Sequence, residues 1–374
     1  MRWCLYPVMP SKILSNNKEV IDLARLNYAH GVPEKRAGFK QEISDFCVDE
    51  ELGYELTGTG EHLCIKVLKV DLSTAEVVSH IENIFQLRSS DIGYSGMKDK
   101  RARCTQWFSL QLSPEQAKSV KSIENENLEI LDSNRNSRKI KIGSHKFNHF
   151  RIRLRDCLAV SGWLERRLQI IATQGVPNYF GPQRFGRQMS NIVQVNQLME
   201  RQNLTGSYKT MPRKRLKRGM LFSAARAYLF NQLLSLRVGD DTWNRYLTGD
   251  VLNLNGTARF FTLQETEEWN ENYQQRLNHF DIHPSGPLYG IVEEKDRYVS
   301  KLAAAEIETG IALRFELLVD GLKHFGLKAA RRPLRFVPAG LTWKSLEGRD
   351  LELSFSLGKG AYATSLLREL CVTE

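Results

Sequence analysis

The stretch CIKVLKVDLSTAEVVSHIENIF, residues 64–85, contains a strand pattern followed directly by a helix pattern. Over 64–70, apolar residues alternate with lysines, which is typical of a half-buried strand. Ser73, followed three residues later by Glu76, is the capping-box signature of a helix N-terminus. Apolar residues then recur at helical spacing, at Val77, Val78, Ile81, Ile84 and Phe85. This stretch therefore predicts a strand joined to a helix by a short turn.

Similar patterns extend in both directions along the chain. Strands are predicted at FCVDE (46–50), WFSLQL (107–112), KIKIG (139–143), FRIRLRD (150–156) and LELSFSL (351–357). Helices are predicted after Ser113-Pro114, from Trp163 to an end at Gly175, over 190–201 and over 221–236. Because these elements do not alternate strictly as β-α-β, the pattern favours an α+β fold.

The chain has 374 residues, enough for two domains, and the pattern of its residues changes near residue 240. There, GDVLNLNGTARFFT, an acidic helical stretch and HPSGPLYG suggest a separately folded insert. No apolar run approaches 18 residues, so we expect no membrane span, and the N-terminus lacks a signal-peptide pattern. The six cysteines are scattered without a C-x-x-C pair, which fits a reducing cytoplasm and argues against a zinc site.

Positive charge is in excess, with a formal net charge of +10 at pH 7. It is concentrated at RNSRKIKIGSHK (135–146), at KTMPRKRLKR (209–218) and, to a lesser extent, at KAARR (328–332). Any one of these clusters is explained equally well as a solvated surface. Three clusters without matching acidic blocks favour a polyanionic partner, with RNA first.

One acidic residue stands inside a basic segment, in GYSGMKDKRARCTQW (93–107). Asp99 lies between Lys98 and Lys100, so it is either a solvated turn residue or a carboxylate that cations keep ionised for chemistry. The motifs of other enzyme classes are missing: the chain has no phosphate-binding loop, no G-x-G-x-x-G after a strand, no H-E-x-x-H and no serine nucleophile elbow. We therefore expect no cofactor and no metal, and Asp99 is the leading catalytic candidate.

A second informative segment is GVPNYFGPQRFGRQ (175–188), which mixes aromatic, amide and guanidinium groups. Such groups suit an unstacked base: rings stack on it, amides bond its edges, and arginine meets phosphate. The alternative is a loop whose aromatics pack inward, and residues alone weigh the two about equally. A third segment, GKGAYATSLLREL (358–370), is by itself an ordinary turn and helix with Tyr362 at their junction.

Together these segments resemble one family, the TruD-type tRNA pseudouridine synthases. GMKDKRARCTQ (96–106) resembles its G-x-K-D-x-x-A motif, and GVPNYFGPQRFG (175–186) resembles its glycine-rich second signature. Further similar segments are FCVDEELGYELTGTGEHLCIKVLK (46–69), SAARAYLFNQ (223–232) and GKGAYATSLLREL (358–370). The resemblance follows the same order from about residue 30 to the C-terminus.

The resemblance implies isomerisation of uridine to pseudouridine in tRNA, typically at position 13, without a cofactor. It places the catalytic aspartate on Asp99. The remaining positions that it implies, or that lie in its motifs, form an expected substrate-binding set: Phe46, Lys98, Asn178, Phe180, Arg184 and Tyr362. One departure is Cys104, where relatives usually have threonine, with Thr105 one position later.

The family fold implied is a mixed-sheet α+β catalytic domain with an inserted, family-specific α+β domain. We expect the catalytic domain at 1–238 and 341–374 and the insert at 239–340, with a start as early as 205 left open. We also expect a cytoplasmic monomer that binds tRNA. Two alternatives remain: a non-enzymatic RNA-binding or RNA-remodelling protein on a synthase fold, and a synthase that modifies other RNAs.

Overall fold

The computed structural model describes residues 25–157, 162–205, 215–264, 266–293 and 298–374. Internal contacts divide the chain into two compact units. The sheet unit comprises Val32–Gly175 and Val337–Glu374. The helical unit comprises Met1–Gly31 and Val176–Phe336, and its described residues begin at 25.

The strands are numbered along the chain. They are β1 Arg36–Phe39, β2 Phe46–Leu52, β3 His62–Val70, β4 Ile92–Tyr94, β5 Arg103–Gln111, β6 Leu128–Asn136, β7 His145–Arg155, β8 Val176–Pro177, β9 Leu252–Leu254, β10 Phe260–Phe261, β11 Ile282–Leu288, β12 Ala330–Pro333, β13 Arg335–Phe336, β14 Ala339–Ser345, β15 Leu351–Gly358 and β16 Val372–Thr373.

The α-helices are α1 Thr74–Phe85, α2 Pro114–Lys118, α3 Gly162–Gln174, α4 Ser190–Thr205, α5 Arg215–Gly239, α6 Glu271–Asn278, α7 Leu302–Arg314, α8 Glu316–His324 and α9 Ala363–Leu370. Short 3-10 helices connect several of these elements. Within the described ranges, no helix is both long enough and apolar enough to cross a membrane.

A mixed sheet organises the sheet unit, with strand order β14-β15-β7-β2-β5-β3-β6. Only β2 and β5 run parallel along this path, and β1, β4 and β16 attach beside it. Helix α1 covers one face, where Val77, Ile81 and Phe85 join a buried cluster with strand residues. Ser73 and Glu76 form the reciprocal capping box that begins this helix, so the predicted strand-turn-helix is confirmed.

The helical unit is built around α5. Its buried residues pack with α4, α7 and α8 in one apolar cluster. Two small sheets accompany the helices, one in the order β10-β9-β11-β12 and one that pairs β8 with β13. The pair β8–β13 positions the start of the 175–188 segment, because the backbone N–H of Asn178 donates to the Leu334 carbonyl at 2.8 Å.

The predicted α+β class with a mixed sheet is confirmed, but one predicted strand is wrong. Residues 139–143, KIKIG, lie in a loop with a turn at Ile142 and Gly143 rather than in a strand. Alternation fails as a signal here because Ile140 is buried while Ile142 is 72% exposed, and Gly143 turns the chain with a φ of 81°. The strand before it, β6, was not predicted.

The predicted domain boundaries differ from the boundaries of these compact units. Residue 239 is the last residue of α5, and the helical unit already begins at Val176. The units are defined by contacts within each part, whereas the expected catalytic and inserted domains are defined by the family. The assignment of 239–340 as an inserted domain therefore stays a prediction.

Candidate active site

Asp99 lies in the loop between β4 and β5, and its side chain is 51% exposed. Lys40, the residue after β1, pairs with it: Lys40 Nζ lies 2.5 Å from Asp99 Oδ2. The Lys40 ammonium also sits 3.8 Å from the centroid of the Phe46 ring. Lys40 has a φ of 55°, in the left-handed region that a residue with a side chain rarely adopts. The structure thus presents a half-exposed carboxylate that is paired with Lys40.

Buried groups hold the backbone of this loop. Lys69 Nζ donates to the Asp99 carbonyl at 2.7 Å and to the Leu72 carbonyl at 2.5 Å. Gln106 Nε2 donates to the Gly96 carbonyl at 2.6 Å. Because these donors lie on β3 and β5, the loop is fastened to two central strands.

Thr74, the first residue of α1, connects the same network. Its hydroxyl donates to Gln106 Oε1 at 3.0 Å and accepts the Lys98 backbone N–H at 2.9 Å. Thr74 and Gln106 are both fully buried. Buried polar groups that satisfy one another in this way restrict the conformations open to the loop.

The Lys98 side chain forms a buried ion pair on the other side of the loop. Its Nζ lies 2.7 Å from Glu50 Oε2, and the two side chains are 7% and 0% exposed. Lys98 also donates to Asn148 Oδ1, and Glu50 accepts the Trp107 N–H at 3.0 Å. Lys98 therefore has internal partners, and its expected role as a substrate contact stays a prediction.

In the helical unit, Asn178 is buried and its amide is used internally. Arg332 Nη2 donates to Asn178 Oδ1 at 2.5 Å, and Asn178 Nδ2 donates to the Pro333 carbonyl at 2.9 Å. The Arg332 guanidinium also lies 4.0 Å from the centroid of the Phe180 ring. Arg332 thus joins two of the expected substrate-binding residues.

Phe180 is only partly buried, unlike the other aromatics of its segment. Tyr179 and Phe185 are 3% and 0% exposed and belong to the apolar cluster of the helical unit. Asn231 accepts the Phe180 N–H at 2.8 Å and donates to its carbonyl at 3.0 Å, which fixes the backbone. The inward-packing alternative is correct for Tyr179 and Phe185, and Phe180 keeps an exposed part.

The last expected substrate contacts are Arg184 and Tyr362. Arg184 Nη1 donates to Ser223 Oγ at 3.1 Å, and its guanidinium lies 5.6 Å from the Phe180 centroid. Tyr362, in the sheet unit, is the residue before α9 and is partly exposed. The structure thus brings Asn178, Phe180 and Arg184 together in the helical unit.

The basic clusters differ in how they are used. Cations of 135–146 such as Arg138, Lys141 and Lys146 are exposed. In 328–332, by contrast, Arg331 pairs with Glu308 at 2.6 Å and Arg332 is buried. The arginines of this third cluster serve the fold, which corrects the interpretation of all three clusters as RNA-facing charge. Residues 209–214 of the second cluster lie outside the described residues.

Comparison with known proteins adds the decisive observation. A family model described as tRNA pseudouridine synthase D (TruD) matches residues 23–211 and 190–370. The tRNA pseudouridine synthase D of Methylococcus capsulatus is 38% identical over 345 residues, which cover 91% of this chain and 93% of that protein. The one from Ectopseudomonas mendocina is 40% identical over 343 residues, covering 91% and 93%.

This chain belongs to the TruD family. A crystal structure described as a putative TruD from Methanosarcina mazei matches with a TM-score of 0.67 and 22% identity, over 92% of this chain and 95% of that one. That match shows a shared fold. The resemblance inferred from the motifs is therefore confirmed, whereas the role of each individual residue is not tested by it.

The sequence analysis missed two residues that contact the candidate site residues, Lys40 beside Asp99 and Arg332 beside Asn178. Lys40 is 59 residues from Asp99, and Arg332 is 154 residues from Asn178. Arg332 lies in the basic cluster 328–332, so its positive charge was noticed in the sequence. Its pairing with Asn178 could not be predicted from the sequence. Lys40 follows a short apolar strand and carries no local signal.

The departure at Cys104 has a structural counterpart. Cys104 is fully buried on β5, and burial raises the pKa of its thiol. The hydroxyl of the next residue, Thr105, donates to Asp49 instead. Since successive residues of a strand point to opposite faces, Thr105 does not replace a hydroxyl at position 104.

Proposed function

We propose that this chain isomerises uridine to pseudouridine in tRNA, with Asp99 as the catalytic residue. The observation that carries the assignment of Asp99 is its half-exposed carboxylate, paired with Lys40 and mounted on a loop whose backbone is held by buried donors. This mounting limits the positions that the carboxylate can take. A reactive group needs it, because a misplacement of about 1 Å can cost roughly 10²-fold in rate.

The reaction exchanges one bond for another within the same nucleotide. The N1–C1′ bond breaks, the uracil turns, and a C5–C1′ bond forms with transfer of the C5 proton to N1. The Asp99 carboxylate can attack C1′ or take a proton from C2′, and its negative charge stabilises the cation-like sugar as the first bond stretches. Lys40 supplies the fixed cation beside it.

The target uridine must leave its stack, which costs a few kcal/mol. We assign Phe180 to stack on the base, because its ring is partly exposed and its backbone is fixed by Asn231. Stacking on an aromatic side chain contributes about 1–3 kcal/mol per base. Asn178, Arg184, Tyr362, Phe46 and Lys98 complete the proposed substrate set, and of these the buried Phe46 and Lys98 act through Lys40 and Glu50.

The finer features of the proposal follow the family resemblance. The substrate is uridine 13 of tRNA, and the exposed cations of 135–146 contact its phosphates. The enzyme acts as a cytoplasmic monomer without a cofactor or metal, and residues 239–340 form an inserted domain of the catalytic fold.

The test is pseudouridine mapping of tRNA from cells with and without the gene, by chemical adduct formation and reverse-transcription stops. We expect one signal, at position 13, to disappear with the gene and to return with the wild-type chain but not with Asp99→Asn. An unchanged tRNA map would contradict the tRNA assignment and favour another RNA. A signal restored by Asp99→Asn would remove Asp99 from the chemistry and favour a different catalyst.

A further inference from the structure

Lys69 is a lysine of β3 that is fully buried. Burial lowers its pKa, and the charges of Cys104, Asp99 and Glu76 oppose that shift. Within the described part of the chain, no carboxylate forms an ion pair with it: Glu76 pairs with Lys100, and Asp99 pairs with Lys40. A buried cation without a paired anion is costly, so its position calls for an explanation.

Both hydrogen-bond acceptors of Lys69 are backbone carbonyls in separate loops. One belongs to Leu72, in the turn between β3 and α1, and the other belongs to Asp99 itself. The backbone N–H of Asp71 donates to the Ala102 carbonyl at 3.2 Å and joins the same two loops a second time. Charged donors make bonds roughly twice as strong as neutral ones, and one ammonium can serve both carbonyls.

We propose that Lys69 is a positioning residue for the reaction: its buried ammonium fixes the backbone of Asp99, and its positive charge acts on the Asp99 carboxylate. Lys40 holds the same aspartate through the carboxylate, from the partly exposed side. The aspartate is thus held twice, and the two lysines are not interchangeable. This inference rests on the proposed catalytic role of Asp99.

The first test compares two lysines of the same strand. Lys69→Met removes the charge and the donors at nearly constant length. Lys66→Met is the matched control, because Lys66 lies on the opposite face of β3 and pairs with Asp49 at 2.9 Å. The measurement is the single-turnover rate of pseudouridine formation with enzyme in excess, together with the Kd for tRNA.

For Lys69→Met we expect the rate to fall by about 10- to 100-fold, as for a misplaced reacting group, with Kd changed by less than roughly threefold. Lys66→Met should retain the wild-type rate. A folded Lys69→Met variant with the wild-type rate, or an equal loss in both variants, overturns the proposal.

A second readout is the pH profile of the single-turnover rate. The charged and titratable groups that face Lys69 are Cys104 on β5, Glu76 on α1, and Lys98 and Asp99 in the loop. Because its pKa lies below the usual lysine range, Lys69 loses its proton, and its hold on Asp99 weakens, as the pH rises. The wild-type rate should therefore decline on the alkaline side more steeply than that of Lys69→Met. A wild-type rate that does not fall as Lys69 loses its proton, followed by the lysine NMR titration described next, overturns the proposal.

A third measurement does not depend on the folding or activity of Lys69→Met. Asp99→Asn removes the carboxylate that acts on Lys69, so the Lys69 pKa should fall further in that variant. Titration of [ε-¹³C]lysine-labelled wild-type and Asp99→Asn protein by NMR reports it directly. Equal Lys69 pKa values in the two proteins overturn the electrostatic part of the proposal. This NMR measurement uses no enzymatic activity, so it tests the role of Lys69 independently of the proposed chemistry. The proposed chemistry is tested separately, by whether Asp99→Asn still forms pseudouridine.

Discussion

The Asp99 loop and the 175–188 segment carry two distinctive sequence motifs of the chain, and they use polar side chains in opposite ways. In the loop, the carboxylate of Asp99 is 51% exposed, while the donors that hold its backbone are buried. In the segment, the amide of Asn178 is itself buried and is bonded by Arg332 and Pro333. One motif presents a half-exposed carboxylate, and the other builds a packed support around a partly exposed ring.

The difference teaches that a signature does not tell which of its residues touch substrate. A buried polar group must be hydrogen-bonded within the protein. The side-chain amide of Asn178 has two such internal partners, so its first role is to hold the neighbouring backbone and Arg332 in place. An exposed carboxylate loses little by lacking further partners and can still react. Asp99 and Phe180 therefore keep exposed atoms that are available for direct contact, as do exposed residues such as Arg187.

The largest expected effect is that of Asp99→Asn. It removes the reacting carboxylate and should lower the rate of pseudouridine formation by about 10³-fold or more, as for other essential side chains in enzymes. Affinity for tRNA should stay nearly unchanged, measured by filter binding, because the phosphate contacts remain. If product formation and tRNA affinity are lost together, Asp99 supports the structure or the binding of tRNA, and the Asp99 loop does not differ from the 175–188 segment in the way described above.

Next in size is the effect of Lys40→Met, which removes the cation beside Asp99. We expect the single-turnover rate to fall by roughly 10- to 100-fold through loss of orientation. Lys100→Met is the control, since Lys100 is one residue from Asp99 but pairs with Glu76 at 2.6 Å. A smaller loss of rate for Lys40→Met than for Lys100→Met would show that the ion pair between Lys40 and Asp99 does not orient the carboxylate for the reaction.

A variant of the packed support should act on stability. Arg332→Met leaves Asn178 Oδ1 and the Asn178 carbonyl without their donor. Leaving buried acceptors unsatisfied should lower the free energy of unfolding by about 1–3 kcal/mol. Hydrogen exchange of the helical unit measures this, and Arg187→Met, at an exposed position of the same segment, should change little. An unaltered exchange rate in Arg332→Met would mean that the support does not depend on this arginine.

The last prediction concerns pH and a buried histidine of the helical unit. Burial and the Arg335 guanidinium lower the pKa of His283 from 6.5 to about 3. Between these values the unfolded chain binds a proton that the folded protein does not, so this group makes stability fall as the pH drops through that window. His283→Gln should reduce the acid sensitivity of the helical unit, followed by hydrogen exchange from pH 7 to pH 4. Equal acid sensitivity in both proteins would exclude His283 as its source.

Much of the local structure was predictable. The helix capped by Ser73, the helix that ends just before Gly175 and the strand β15 follow from patterns within a few residues. KIKIG failed because a short alternating run is also compatible with a turn in which one side chain is buried. The predicted site contained Asp99 and Phe180 but not Lys40, since an ion pair across 59 residues leaves no local trace.

The sequence by itself determined the family, the α+β class and the candidate carboxylate, because capping, periodicity and motif spacing are local properties of the chain. Tertiary structure alone decided which cation pairs with Asp99, that Lys69 is buried beneath it, and that Arg332 holds Asn178. These pairings depend on the register of strands such as β3 and β5, in which Lys69 lies opposite Cys104. Register is set by the packing of the whole sheet, and no short segment contains it.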